Sequence, residues 1–305
     1  MRNPLSLRAC DNGVPVVFII VIALTFAVVS TSHAASIKLN DEGQSFSDVA
    51  AFVISPDGQL VVYLQNLSAA SEREVFVVPI SGGTPVQLSE VHPGAGTDTV
   101  LITPTGAQVV YDQYTASGYV LRSVPIAGPM SAGLDITMPF AGGILWMDVS
   151  PDGSRAVYET TQSGVVELYS APVLGPAGAE ARLHGAVPAL MYGVVDQSVV
   201  ISPDSSRVVY LAELEDRTFY DLYSVPVAGP ASAAVMLNPS PAGEMVQLPC
   251  AVSPTSDRVV YMTESASGEW GLYSVPIDGP ASAGVKLNLP LQQLGSIGSF
   301  QISPD

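Results

Sequence analysis

Ile54-Ser55-Pro56-Asp57-Gly58, running on into Leu60-Val61-Val62-Tyr63, writes a strand end, a tight turn and a second strand in ten residues. Proline fixes φ at the first turn position, aspartate follows, and glycine takes the left-handed place. The β-branched run behind it suits a pleated sheet. The unit recurs as Ile102-Thr103-Pro104-Thr105-Gly106, Val149-Ser150-Pro151-Asp152-Gly153, Ile201-Ser202-Pro203-Asp204-Ser205, Val252-Ser253-Pro254-Thr255-Ser256 and Ile302-Ser303-Pro304-Asp305. Its prolines lie 48, 47, 52, 51 and 50 residues apart. Spacing so even marks a repeat protein. Ser205 and Ser256 stand where glycine is expected, which is costly because a Cβ disfavours positive φ.

Each unit reads as four short strands. The first ends at the Ser/Thr-Pro turn, and the second closes in Tyr63, Tyr111, Tyr158, Tyr210 and Tyr261. One register for five tyrosines points to packing between neighbouring sheets, with each hydroxyl meeting a polar partner. The third strand is of the Leu-Tyr-Ser-Val-Pro kind and ends at Pro79, Pro125, Pro172, Pro226 and Pro276. A Gly-Pro loop and a short fourth strand follow. Four antiparallel strands every fifty residues predict an all-β protein, a β-propeller of four-stranded blades. Five full repeats are present with the start of a sixth.

Ser36-Ile37-Lys38-Leu39-Asn40 repeats the fourth-strand pattern of Gly284-Val285-Lys286-Leu287-Asn288. An N-terminal strand of this kind completes the last blade of a closed ring and leaves no free edge. The second and third strands of that blade are absent, so the sequence reads as a fragment whose intact form is a six-bladed ring. Residues 1–34 read as a signal peptide. Arg2 and Arg8 precede the apolar run Val14 to Val29, and Ser32-His33-Ala34 offers small residues for cleavage after Ala34 or Ala35. The run is short for a membrane span. Residues 35–305 are then the propeller, periplasmic or secreted, with no membrane insertion after cleavage.

The turns at Ile54 to Gly58 and Val149 to Gly153, with the strands to Tyr63 and Tyr158, resemble the TolB-type, WD-repeat-like propeller family. The likeness covers 36–305 and implies the blade architecture. It says little about activity, since one fold hosts many functions. TolB carries a separate domain before its propeller, whereas here the repeats follow the signal peptide directly. Prolyl oligopeptidases also carry such blades, followed by an α/β-hydrolase domain. No G-x-S-x-G nucleophile elbow occurs in this sequence.

Composition narrows the partner. Eleven Lys and Arg against 28 Asp and Glu give a net charge of −17, a surface that repels nucleic acid. After signal removal one cysteine remains, Cys250, in an apolar stretch that reads as core. His92 and His184 are single loop histidines read as solvated, and no HExxH or CxxC pattern supports a metal. Asp41, Glu42 and Asp48, and Glu213, Glu215, Asp216 and Asp221, form two acidic groups without calcium-loop spacing, read as solvated surface. The Pro-Asp turn aspartates read as structural. Trp146 and Trp270 read as packing or as anchors. No catalytic, cofactor-binding or metal residue is nominated, and no cofactor is expected. The reading is a monomeric, non-catalytic scaffold of the cell envelope that binds a protein or small ligand on an acidic loop face. The alternatives are the propeller portion of a prolyl-oligopeptidase-like hydrolase and, further off, a metal-dependent propeller lyase.

Overall fold

The computed structural model describes residues 36–40, 48–67, 72–90, 96–162, 164–188, 191–195, 198–214, 220–239, 244–289 and 295–304. Residues 1–34, expected to be a signal peptide, His92 and the acids Asp41, Glu42, Glu215 and Asp216 lie outside them. Strands β1 (Val49–Ile54), β2 (Leu60–Asn66), β3 (Arg73–Pro79) and β4 (Val86–Gln87) form the first blade. The second is β5 (Val100–Ile102), β6 (Gln108–Thr115), β7 (Gly118–Pro125) and β8 (Leu134–Asp135). The third is β9 (Ile144–Val149), β10 (Arg155–Gln162), β11 (Val165–Pro172) and β12 (Ala181–Arg182). In the fourth, the inner strand is split into β13 (Gly193–Val194) and β14 (Val200–Ile201), ahead of β15 (Arg207–Glu213), β16 (Asp221–Pro226) and β17 (Val235–Met236). The fifth is β18 (Glu244–Val252), β19 (Arg258–Ser265), β20 (Trp270–Pro276) and β21 (Val285–Lys286). Sequential antiparallel four-stranded sheets make the chain a β-propeller, as the repeat predicts. Residues 295–304 include the start of the sixth repeat and form no strand.

The core lies between blades. Val62, Leu64, Val75, Val77 and Leu88 of the first blade pack on Val100, Val109, Tyr111, Val124 and Ile126 of the second. Equivalent clusters fill the next three seams. Each such side chain contributes roughly 1.5–3 kcal/mol on burial. The ten in the first seam thus outweigh the roughly 2–4 kcal/mol of a disulfide, and the cysteine among the described residues, Cys250, is free. The tyrosine column sits as its register requires. Tyr111 donates to the Leu88 carbonyl at 3.4 Å and Tyr210 to that of Leu183 at 3.3 Å, each reaching the preceding blade. Cross-strand stacking fixes the rings, with Tyr158–Tyr169, Tyr210–Tyr223 and Tyr261–Tyr273 centroids 5.6–5.7 Å apart.

The turns are locked by their own polar groups. In the first, Ser55 Oγ donates to Asp57 Oδ1 at 2.5 Å and accepts from the Leu60 amide at 2.9 Å. The Ser55 bond, joined by the Gln59 amide, holds the Asp57 carboxyl below its ordinary range. Ser205 and Ser256 do adopt positive φ, 63° and 61°. Their hydroxyls offset the cost: Ser205 Oγ accepts from the Asp152 amide at 2.9 Å and Ser256 Oγ from the Asp204 amide at 3.0 Å. Glycine would relax the backbone and lose that bond between neighbouring blades.

Candidate binding face

The strand order sorts the connections onto two edges. Ser-Pro turns and Gly-Pro loops leave one edge of every sheet, here the turn edge. Hairpins between second and third strands and links between blades leave the other, the hairpin edge. Among the described residues three tyrosines are exposed: Tyr114 at 44%, Tyr192 at 67% and Tyr220 at 38%. All three lie on the hairpin edge, at the end of β6, just before β13 and just before β16. They fall outside the register of the buried tyrosine column. That departure was the signal in the sequence, and the repeat reading passed over it.

Tyr114 begins a run of rings that descends into the core. Its centroid is 4.9 Å from that of Tyr119, which is 6.4 Å from Phe140; Phe140 is 5.7 Å from Tyr158, itself 5.7 Å from Tyr169. Reciprocal 2.9 Å backbone bonds between Tyr119 and Phe140 hold the outer part. At the inner end Tyr169 donates to Glu167 at 2.6 Å, and burial together with that carboxylate pushes the phenol up to about 12. Rings positioned this rigidly lose little entropy when a partner covers them.

Carboxylates frame the same edge in two groups. The buried ones tie down the inter-blade links. Asp112 accepts from the Asp98 and Thr99 amides at 3.0 and 2.6 Å, and burial pushes it up to about 6. Glu213 accepts from the Tyr192 amide at 3.1 Å, and Asp221 from Asn238 at 2.8 Å. Glu74 accepts from Ser89 Oγ, and burial raises its carboxyl to about 7. The expectation that Glu213 and Asp221 are solvated surface is therefore corrected: both are buried and spent on loops. Glu90, Asp98 and Asp135 remain accessible. A groove of about 250 Å³ runs beside Tyr114's hairpin, lined by Glu90, Gln113, Thr115, Arg122 and Asp135 among others. Arg122 pairs there with Asp135 at 2.9 Å and Glu90 at 3.6 Å.

The remaining candidates fall in the interior. His184 is fully buried, not a solvated loop residue, because it directly follows the seam residue Leu183. Cys250 is core, its thiol pushed up to about 12 by burial and so inert. Trp146 packs against the seam between the third and fourth blades, and Trp270 opens β20, half-buried. Among the described residues, no group of three or more His, Cys, Asp or Glu is placed to hold a metal. No described helix is long and apolar enough to cross a membrane.

No family model and no curated protein matches this chain. Solved structures do. Prolyl oligopeptidase B from Galerina marginata aligns at 13% identity over 80% of this chain and 35% of that one, with a TM-score of 0.51. TolB from Acinetobacter baumannii aligns at 14% identity over 81% and 55% of the two chains, TM-score 0.43. A TolB candidate from Agrobacterium tumefaciens gives 17% identity over 79% and 80%, TM-score 0.42. At these identities the likeness is one of fold. The chain spans about a third of the oligopeptidase.

Proposed function

We propose that this chain is an exported, non-catalytic propeller scaffold of the cell envelope that binds a protein or another ligand on its hairpin edge. The observation that carries the reading is the confinement of all three exposed tyrosines to that edge, beside accessible carboxylates. Tyrosine supplies large contact area at low entropic cost and is enriched among the residues that dominate binding energy. The charge of −17 favours neutral or cationic partners. A photo-crosslinking residue placed at 114, 192 or 220 in the exporting cell should give discrete adducts, while one placed at Asp278 on the turn edge should give none. Equal labelling from both edges would sink the reading. Hydrolysis of a prolyl peptide by the purified chain would overturn its non-catalytic part. Export is checked separately by N-terminal sequencing, expected to begin at Ala35 or Ser36.

A further inference from the structure

Two of the internal seams satisfy the same carbonyl at their hairpin-edge end. Two residues past the seam residue Leu88, the Glu90 carbonyl accepts from Gln113 Nε2 of the second blade at 2.9 Å. Two past Leu183, the Gly185 carbonyl accepts from Arg182 Nη2 at 2.6 Å. Two past Leu237 stands Pro239, and there neither donor is present. Where the second blade has Gln113 beyond its column tyrosine, the fifth has Thr263, too short to cross the seam. Where the third blade has Arg182 opposite Tyr169, the fourth has Met236 opposite Tyr223. Among the described residues no hydrogen bond reaches the Pro239 carbonyl.

A cavity of about 90 Å³ opens beside it, between the fourth and fifth blades, lined by Asn238, Pro239, Glu244, Tyr261, Thr263 and Tyr273. That is room for roughly three waters. Tyr261 and Thr263 are 1% and 5% exposed, and among the described residues neither hydroxyl makes a hydrogen bond. Glu244 is half-buried and forms no ion pair with a described residue. The register sets it on the same face as Thr263, because Val246 lies opposite Thr263 and Glu244 two residues along. Burial, with Tyr273 and Glu244 nearby, pushes the Tyr261 phenol up and keeps it a neutral hydroxyl. The walls therefore offer oxygen acceptors, one carboxylate and the ring of Tyr273. That ring already attracts an ammonium, since Lys286 Nζ lies 5.7 Å from its centroid.

We infer that this cavity takes a primary ammonium group, carried on a lysine side chain of a partner or on a free amine. Such a guest supplies the N–H that Gln113 and Arg182 supply in the other seams, and it neutralises Glu244. Water would serve the hydroxyls and leave the carboxylate without a counter-charge. A calcium ion needs more oxygens and more charge than one carboxylate brings. The cavity opens on the hairpin edge, so the identity of a protein partner rests on the proposed binding function. The amine titration uses no partner, and its failure is distinguishable from a failure to cross-link at 114, 192 or 220.

Titrating n-butylammonium chloride into the full chain at constant ionic strength and about pH 7 should shift the amide resonances of Glu244 and Thr263, with a Kd on the order of millimolar. Tetramethylammonium has the same charge without an N–H and should bind at least about tenfold more weakly. Glu244→Gln should weaken butylammonium by a similar factor. Thr263→Gln should abolish its binding, because it installs the bond that Gln113 makes, and a melting temperature no lower than wild type shows that this variant is folded. Lys286→Met should keep the binding, which places the guest in the cavity and not at the site that Lys286 holds over Tyr273. Binding of Nα-acetyl-lysine amide that is lost on Nε-acetylation supports the inference with a side chain as the source; butylammonium binding without it supports the inference with a free amine. The inference is overturned if butylammonium shifts neither resonance, if tetramethylammonium binds equally well, if binding survives Thr263→Gln, or if it is lost with Lys286→Met.

Discussion

Position 184 follows the seam residue of a fourth strand. The same position holds Ser89, Thr137, Asn238 and Asn288 in the other blades, and each offers an oxygen to the third-strand amide. The bonds are 2.8 Å from Val75, 2.9 Å from Leu121, 2.7 Å from Leu222 and 2.8 Å from Leu272. In the third blade neither ring nitrogen of His184 makes a hydrogen bond of normal geometry. Burial, with Arg182 nearby and Glu167 and the Gly185 backbone opposing, pushes its pKa down from 6.5 to about 4. The folded state thus binds the proton less well than the unfolded one, and the neutral form's stability is present above pH 6.5 and lost as pH falls through 4. His184→Asn should remove this loss. Relative to the variant, wild type should weaken by up to about 3 kcal/mol between pH 6.5 and pH 4, read by urea unfolding. A difference that stays flat with pH would show that the imidazole does not titrate there. The difference is the quantity to read because Glu74 and Asp112, raised to about 7 and 6, act with the opposite sign. Their protonated forms favour the fold, so each contributes stability at low pH that is lost as pH rises through those values. His184 was misread from sequence because a glycine after it resembles a loop. The asparagines and hydroxyls at the same repeat position were the better guide.

Among the elements, the second and third strands were legible because a tyrosine in the one and a proline at the end of the other recur at fixed register. The second strands do not close at the tyrosine, however: they run on to Asn66, Thr115, Gln162, Glu213 and Ser265. The structure lengthens the third strands at their starts, to Arg73, Gly118, Val165, Asp221 and Trp270. β13 was not legible. Two residues carry no period, and Gly193 reads as a loop glycine until its neighbours are known. It pairs in parallel with Val166 of the third blade, while β13 runs antiparallel to β15 of the fourth, joining two blades into one nine-stranded sheet. Its φ is +84°, and a Cβ there would lie 2.3 Å from the Val166 carbonyl oxygen. Gly193→Ala therefore meets both a left-handed backbone and a backbone clash. The first alone costs roughly 1–2 kcal/mol. We expect a loss of at least about 2 kcal/mol in chemical denaturation, with faster amide exchange at Val194 and Val166. A near-neutral result would mean that the bridge between blades opens at little cost.

Across the whole molecule, stability is distributed as in a repeat array, where each unit draws on its neighbours. The second, third and fourth blades have seams on both faces, and the third and fourth also share a sheet. Among the described residues, the other side of the first blade has only the small cluster around Leu39, with Phe52 and Ile54 exposed. Amides of β2 and β3 should therefore exchange at least about tenfold faster than those of β15 and β16 in native-state hydrogen exchange. Equal rates would mean instead that the blades open as one cooperative unit and that seam energy is shared along the array.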